Sequence, residues 1–231
     1  MADKCRLRPI ADIQSLIDRQ RARFLIFKPL NDSQYADKLL DEISRAKIIW
    51  IYRNFLDTAN SAVAKWGTDK RDMVTWIGRN CAKTGRFEKV IPPPANGKTY
   101  ALYADRMSKP VTRRLIEWTR EPISKHTGAA IFWYIRNSLF FDLRLNNDER
   151  VLPLCYERFA SHPDQEVKRM CDFIGARYQR KLSSGVRASS IGKHRPPSIE
   201  SSVKQACQEL AAELDNAEAL NRSRIRAALA Y

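Results

Sequence analysis

Apolar residues along this chain fall into short continuous blocks separated by stretches of helical period. The sharpest block is Ile48-Ile49-Trp50-Ile51-Tyr52, and such a β-prone run without polar alternation predicts a strand buried on both faces of a parallel sheet. Phe24-Leu25-Ile26-Phe27 predicts an earlier strand, and residues 151–156 a later one. Helical sequence follows each of them. Residues 33–44 place Leu39, Leu40 and Ile43 on one face. Asp57 or Thr58 is positioned to cap a helix that carries Ser61. Val167, Met170, Cys171 and Ile174 share a face of a third helix, which has Ser161 as a candidate cap, Pro163 in its first turn and Gly175 at its end. Strands alternating with helices argue an α/β fold, a mainly parallel sheet flanked by helices on both sides.

The remaining segments read as helix or loop. Ile10, Ile13, Leu16 and Ile17 recur at helical spacing within a polar lead over 1–22. Trp66, Met73, Trp76 and Ile77 predict a helix packed on the core. Residues 110–144 are helical in pattern, with Pro110 and Pro122 near helix starts. Phe132, Trp133 and Phe140 are core candidates there. Arg136 and Asn137 interrupt the apolar run and so require buried partners or a ligand. Residues 85–97, with Pro92-Pro93-Pro94, form the clearest loop, either the border of a pocket or a plain connector. Residues 177–198 are rich in Ser, Gly, Lys and Arg with no apolar period, the composition of an exposed loop. From 199 onward Ile199, Val203, Cys207, Leu210 and Leu214 share one face, and a basic, helix-compatible tail runs to Tyr231.

A chain of 231 residues, 44% of them hydrophobic, can bury a substantial core, most simply as one domain over 1–231. Lys and Arg number 41 against 26 Asp and Glu, a formal charge of +15, which favours anionic partners: a nucleotide, an acidic acceptor or nucleic acid. The basic residues are dispersed and no nucleic-acid reading motif is visible, so nucleic-acid binding is kept as an alternative. Cys5, Cys81, Cys155, Cys171 and Cys207 show no metal-type pairing; they read as reduced thiols, with Cys171 and Cys207 on helix core faces, and no metal site is expected. No apolar run approaches the roughly 18 residues of a membrane span, and the amino end lacks the apolar stretch of a secretory signal. The expectation is a cytoplasmic protein.

Ligands of open α/β sheets gather outside the carboxyl ends of the strands. Arg53 sits at such an end, and Ser61 follows eight positions later on a helix whose early backbone amides point the same way. A guanidinium fork with a hydroxyl suits a phosphate monoester. The plainer alternative pairs Arg53 with a carboxylate and leaves Ser61 an ordinary helix residue. Tyr156, at the end of the third strand, reads by itself as a core tyrosine with a satisfied hydroxyl. Lys28, at the end of the first, reads by itself as a solvated lysine.

Three elements resemble the sulfotransferase family, which uses 3′-phosphoadenosine 5′-phosphosulfate. The first is Arg53-Asn54-Phe55-Leu56-Asp57-Thr58-Ala59-Asn60-Ser61, similar to the family's strand-end motif for the cofactor's 3′-phosphate. The second is the strand ending in Tyr156-Glu157, followed by Ser161-His162-Pro163 and a helix. The third is Ser189-Ser190-Ile191-Gly192-Lys193-His194-Arg195, similar to the family's late cofactor loop. They occur in the expected order within about residues 23–214. The resemblance implies a P-loop-NTPase-like architecture. It implies that Arg53, Ser61, Lys193 and Arg195 bind the 3′-phosphate side, that Tyr156 positions the adenine end, and that residues 177–198 form a cofactor lid. Lys28 would offset charge on the sulfuryl oxygens. Leu30 stands where the family often has a basic His, leaving Asp32 as the nearest candidate base, or else a helix cap. The family's loop for the 5′-phosphosulfate is not recognisable near the amino end. The expectation is therefore an amino-terminally truncated member: a fragment, a missed upstream start or a degenerate form. Transfer of a sulfuryl group to a hydroxyl or amine is the implied activity, with a non-catalytic adenosine 3′,5′-bisphosphate-binding remnant as the second possibility.

Overall fold

The computed structural model describes residues 10–19, 21–28, 33–84 and 106–229. Among them α1 spans Ile10–Asp18, a 3-10 turn Ser33–Tyr35 leads into α2 at Ala36–Glu42, and β1 covers Ile48–Tyr52. Helices α3 (Phe55–Trp66), α4 (Asp69–Thr84), α5 (Lys109–Trp118) and α6 (Lys125–Asp142) follow. Then come β2 (Val151–Cys155), α7 (Tyr156–Ser161), α8 (Pro163–Ile174) and the long α9 (Ser201–Leu229).

The described sheet has two strands. β1 and β2 run parallel in a register that pairs Ile48 with Val151 and Tyr52 with Cys155, so both chains leave the sheet at the same edge. Against the sheet and around it, α6 packs on α3, α4 and α9. Its sequence is apolar nearly all round, and residues from Thr127 to Phe140 are buried on several faces, as expected of a helix enclosed by neighbours. Phe55, Trp50, Tyr52, Ile131, Trp133, Ile135, Leu139 and Phe140 join one hydrophobic core with Val203, Cys207, Leu210 and Leu214 of α9.

Several local expectations change. Residues 24–27 form no strand: 21–28 is irregular, with Ile26 88% exposed, because β-prone side chains produce a strand only when a neighbouring strand supplies the ladder. β1 is not buried on both faces, since Trp50 and Tyr52 are covered while Ile51 is 58% exposed. The predicted helix over 33–44 is the 3-10 turn plus α2, ending where Ile43 turns extended. Helix α3 is capped by Asn54, not by Asp57 or Thr58, which already lie inside it. Ser161 ends α7 rather than capping α8, where His162 holds the cap position. Residues 110–144 divide into α5 and α6, with Ser124 capping the second through Thr127. Gly175 closes α8 with φ 74°, a left-handed angle that suits glycine. The basic tail is helical as far as Leu229.

A buried charged network fixes α9 to the sheet. The Arg169 guanidinium donates to the Pro153 carbonyl of β2 at 3.0 Å, to Glu218 at 2.9 Å and to Asn221 at 3.1 Å. Arg222 donates to Glu166 at 2.7 Å and to Glu218 at 2.6 Å. Tyr52 of β1 donates to Asp215 at 2.7 Å and to Glu218 at 2.9 Å. Burial, with Asp215 and Glu218 beside it, raises the Tyr52 hydroxyl far above the ordinary tyrosine range.

Candidate anion-binding site

Because β1 and β2 end side by side, the residues just beyond them converge. Asn54 turns the chain from β1 into α3: its Oδ1 accepts from the amides of Leu56 at 2.9 Å and Asp57 at 3.3 Å. That satisfies two amides that have no partner within the helix itself. Its own amide donates to Glu157 Oε1 at 3.0 Å, which ties the exit of β1 to that of β2. The carbonyl of Arg53 accepts from the Trp133 indole at 2.8 Å. The backbone at Arg53 is thus fixed from both sides.

The Arg53 side chain, 24% exposed, lies over the Tyr156 ring with its Cζ 4.9 Å from the centroid. Asp57 and Glu157 form ion pairs with it at 3.6 and 3.8 Å, the carboxylate pairing of the plainer reading, though both lie beyond hydrogen-bond reach. The acceptor that Arg53 does engage is neutral: Nη2 donates to the Ser190 carbonyl at 2.5 Å. Its Nε is buried and has no hydrogen-bond partner among the described residues.

Residues 190–200 close over this point. Tyr156 and Ser190 share a hydroxyl hydrogen bond of 2.7 Å. Gly192 turns at φ 60° and donates its amide to Asp57 at 2.9 Å. Asn60 donates to the Arg195 carbonyl at 3.1 Å, and the Glu200 amide to Thr127 at 3.3 Å. Consecutive turns of α3 therefore hold consecutive parts of the segment.

Of the residues singled out from sequence, Arg53 and Tyr156 are in direct contact. Tyr156 opens α7 rather than ending a strand, so its ring stacks across the helix start. Ser61 is exposed on α3, one turn beyond Asp57 and next to Asn60. Lys193 and Arg195 lie exposed in the covering segment; Arg195 meets α3 through its carbonyl. Lys28 is exposed in the irregular segment that Arg23 ties to the Gly175 carbonyl at 3.0 Å. Asp32, the Pro92-Pro93-Pro94 loop and the first nine residues lie outside the described residues.

Sequence reasoning assigned no role to Asn54, Glu157, Ser190 or the indole of Trp133. A buried tryptophan N–H needs an acceptor, and that requirement was the readable signal for Trp133. The backbone role of Ser190 has no side-chain signature.

Cys155, at the end of β2, is pushed up to about 11, chiefly by burial, which makes it a poor nucleophile at neutral pH. Cys155, Asp215 and Glu218 approach one another, but the two carboxylates already accept from Tyr52, and Glu218 also from Arg169 and Arg222. Cys81, Cys155, Cys171 and Cys207 are free thiols, and Cys171 and Cys207 are buried on α8 and α9 as expected. No helix among the described residues is long and apolar enough to cross a membrane.

Comparison with known families gives one finding: the model described as Sulfotransferase domain matches residues 21–204. No curated protein and no solved structure matches the chain.

Proposed function

The chain belongs to the sulfotransferase domain family, and from that premise we propose that it transfers a sulfuryl group from 3′-phosphoadenosine 5′-phosphosulfate to an acceptor hydroxyl or amine. The observation that carries this reading is the state of Arg53. A guanidinium at a strand end, stacked on Tyr156, keeps its Nε buried and without a hydrogen-bond partner among the described residues, and its Nη2 is bonded to a carbonyl of the covering segment. A 3′-phosphate would supply two oxygens in the fork geometry that guanidinium prefers.

In this reading Ser61, Lys193 and Arg195 add a hydroxyl and two cations around the same phosphate, and Tyr156 orients the adenine side. Residues 177–198 act as the lid that excludes water, the part from Ser190 onward covering Arg53. When bound, the donor supplies a sulfuryl group that an acceptor oxygen or nitrogen attacks in line, as its bond to the nucleotide phosphate breaks. Lys28 is the cation available to offset charge on the sulfuryl oxygens. The acceptor proton requires a base within hydrogen-bond reach; Asp32 is the candidate. The free thiols support a reducing, cytoplasmic setting.

The second reading is binding without transfer, in which the chain holds adenosine 3′,5′-bisphosphate only. In that reading Arg53, Tyr156 and the covering segment hold the nucleotide, and no base is required. Calorimetric titration of adenosine 3′,5′-bisphosphate into the chain, Arg53→Ala and Ser61→Ala tests the shared premise. Binding by the parent that Arg53→Ala loses supports it, and absence of binding by the parent overturns it. Transfer of labelled sulfate to an acceptor separates the two readings.

A further inference from the structure

We infer that the Asp57 carboxylate occupies the seat of the nucleotide's phosphate, as a built-in anion that closes the covering segment and that an incoming phosphate must displace. The word nucleotide rests on the sulfotransfer reading; the seat itself rests on the geometry around Asp57.

One oxygen of Asp57 marks the point where two donors converge. Its Oδ2 lies 3.6 Å from Arg53 Nη2 and accepts the Gly192 amide at 2.9 Å. Gly192 presents that amide from a left-handed turn at φ 60°, and the Ser190 carbonyl in the same turn takes the Nη2 hydrogen bond at 2.5 Å. The Asp57 side chain is 11% exposed, so its charge is held almost out of water. Such burial is costly for a carboxylate unless its surroundings are electropositive. The place suits negative charge, yet Asp57 fills it incompletely. The guanidinium stands beyond hydrogen-bond reach of Oδ2, and Arg53 Nε is left without a hydrogen-bond partner among the described residues.

Glu157 flanks the same guanidinium, 3.8 Å from Nε, but its oxygens are committed elsewhere. Oε1 accepts the Asn54 amide at 3.0 Å and Oε2 the Cys155 thiol at 3.4 Å, so Glu157 braces the strand ends. Asp57 links to the covering segment instead. Its backbone is fixed in the first turn of α3, and rotation of its side chain would release Gly192 and Arg53 together.

A phosphate monoester brings nearly two charges and three strong acceptor oxygens. It therefore offers enough oxygens for the Arg53 fork and the Gly192 amide, where Asp57 engages the amide alone by hydrogen bond. Exchange of the carboxylate for phosphate gains hydrogen bonds that the free protein lacks. It also couples ligand entry to opening of the turn over residues 190–192, because Ser190 and Gly192 each hold one partner of the Arg53 and Asp57 pair.

The test uses the full 15N-labelled chain, with the Gly192 amide signal as reporter. Sodium phosphate replaces chloride at constant ionic strength and neutral pH. A saturable shift is expected in the parent. Asp57→Asn keeps an acceptor for Gly192 but loses the charge, and should reach half-saturation at a phosphate concentration lower by about fivefold or more, the weight of one like charge near 4 Å in water. Asp57→Ser serves if the asparagine variant fails to fold. Glu157→Gln removes a charge at a similar distance from Arg53 without touching Gly192, and should gain less. Unchanged or weaker phosphate binding by folded Asp57→Asn, an equal gain in Glu157→Gln, or a Gly192 signal unmoved in every protein overturns the inference. Adenosine 3′,5′-bisphosphate titrated into the same proteins separates the two readings. If it binds neither the parent nor Asp57→Asn while phosphate binds the variant more tightly, the sulfotransfer reading fails and the Asp57 seat stands. If it binds both with equal affinity, the sulfotransfer reading stands and Asp57 is not the occupant.

Discussion

Arg53 donates its hydrogen bond to the backbone carbonyl of Ser190 at 2.5 Å, while Asp57 and Glu157 pair with its charge at 3.6 and 3.8 Å. The same serine's hydroxyl is bonded to Tyr156 at 2.7 Å, so one residue of the covering segment holds both the guanidinium and the ring beneath it. Tyr156→Phe removes only the second contact. A single neutral hydrogen bond contributes about 1 kcal/mol, so the segment should open several-fold more often. Limited trypsinolysis after Lys193, which is exposed and followed by His194, should accelerate by that factor in Tyr156→Phe, and adenosine 3′,5′-bisphosphate should slow it. Equal cleavage of both proteins would show that Asp57 and Asn60, not Tyr156, govern the segment.

Stability of the sheet-to-α9 contact should depend on Glu218, which is fully buried. Burial alone would raise its carboxyl, but hydrogen bonds from Arg222 and Tyr52 and the charge of Arg169 bring it below the ordinary glutamate value. Glu218→Gln leaves two arginines short of a counter-charge, which costs roughly 3–5 kcal/mol in buried networks. The urea midpoint should fall accordingly. With a depressed folded pKa, the carboxyl contributes stability that is present above the ordinary glutamate value and is lost as pH falls through the lowered one. Acid sensitivity of the parent should be blunted in the variant.

What was legible in the sequence follows from how local each signal is. The Ile48–Tyr52 strand, the Gly175 stop and the apolar faces of α8 and α9 rest on composition within a few residues and are found, although β1 is covered on one face only. Phe24-Leu25-Ile26-Phe27 has the same β-prone chemistry but forms no strand among the described residues, since a ladder partner is a property of the rest of the chain. Within the site, Arg53 and Tyr156 were readable as charged and aromatic groups at motif positions. The acceptor of Arg53 was not, because a carbonyl is the same at every residue. Nor was the approach of Lys70 and Arg136 to the Phe132 ring, since the two lie on different helices and only packing brings them there.

Close approach of α4 and α6 gives a third expectation. A Cβ built at Gly128 would fall 2.4 Å from Arg71 Cα and 3.0 Å from its amide nitrogen, both backbone atoms that cannot swing aside. Gly128→Ala should therefore force the helices apart and cost about 1–3 kcal/mol or more, the range of overpacked cores. Gly185→Ala is the control, as nothing lies within 4 Å of the added carbon, and its effect should stay within about 0.5 kcal/mol. Matching urea midpoints for the two variants would mean that α4 can shift without loss.

Alkaline lability should come from the core thiols. Burial pushes Cys207 from 9.0 up to about 12 and, with lesser contributions from neighbouring groups, Cys155 from 9.0 to about 11; burial raises Tyr52 as well. A folded pKa above the unfolded one means that the native state holds the proton longer. The contribution is complete below the unfolded value of 9.0 and is lost as pH rises toward 11 for Cys155 and 12 for Cys207. The urea midpoint should be flat through neutral pH and decline above about pH 9. Cys207→Ala keeps a small apolar side chain in the site while removing the titrating group, so its decline should be shallower. At neutral pH the protonated, fully buried Cys207 should resist iodoacetamide until the protein is unfolded. Rapid labelling of Cys207 in the native protein would place α9 away from α6 and contradict its 3.6 Å contact with the Ala130 carbonyl.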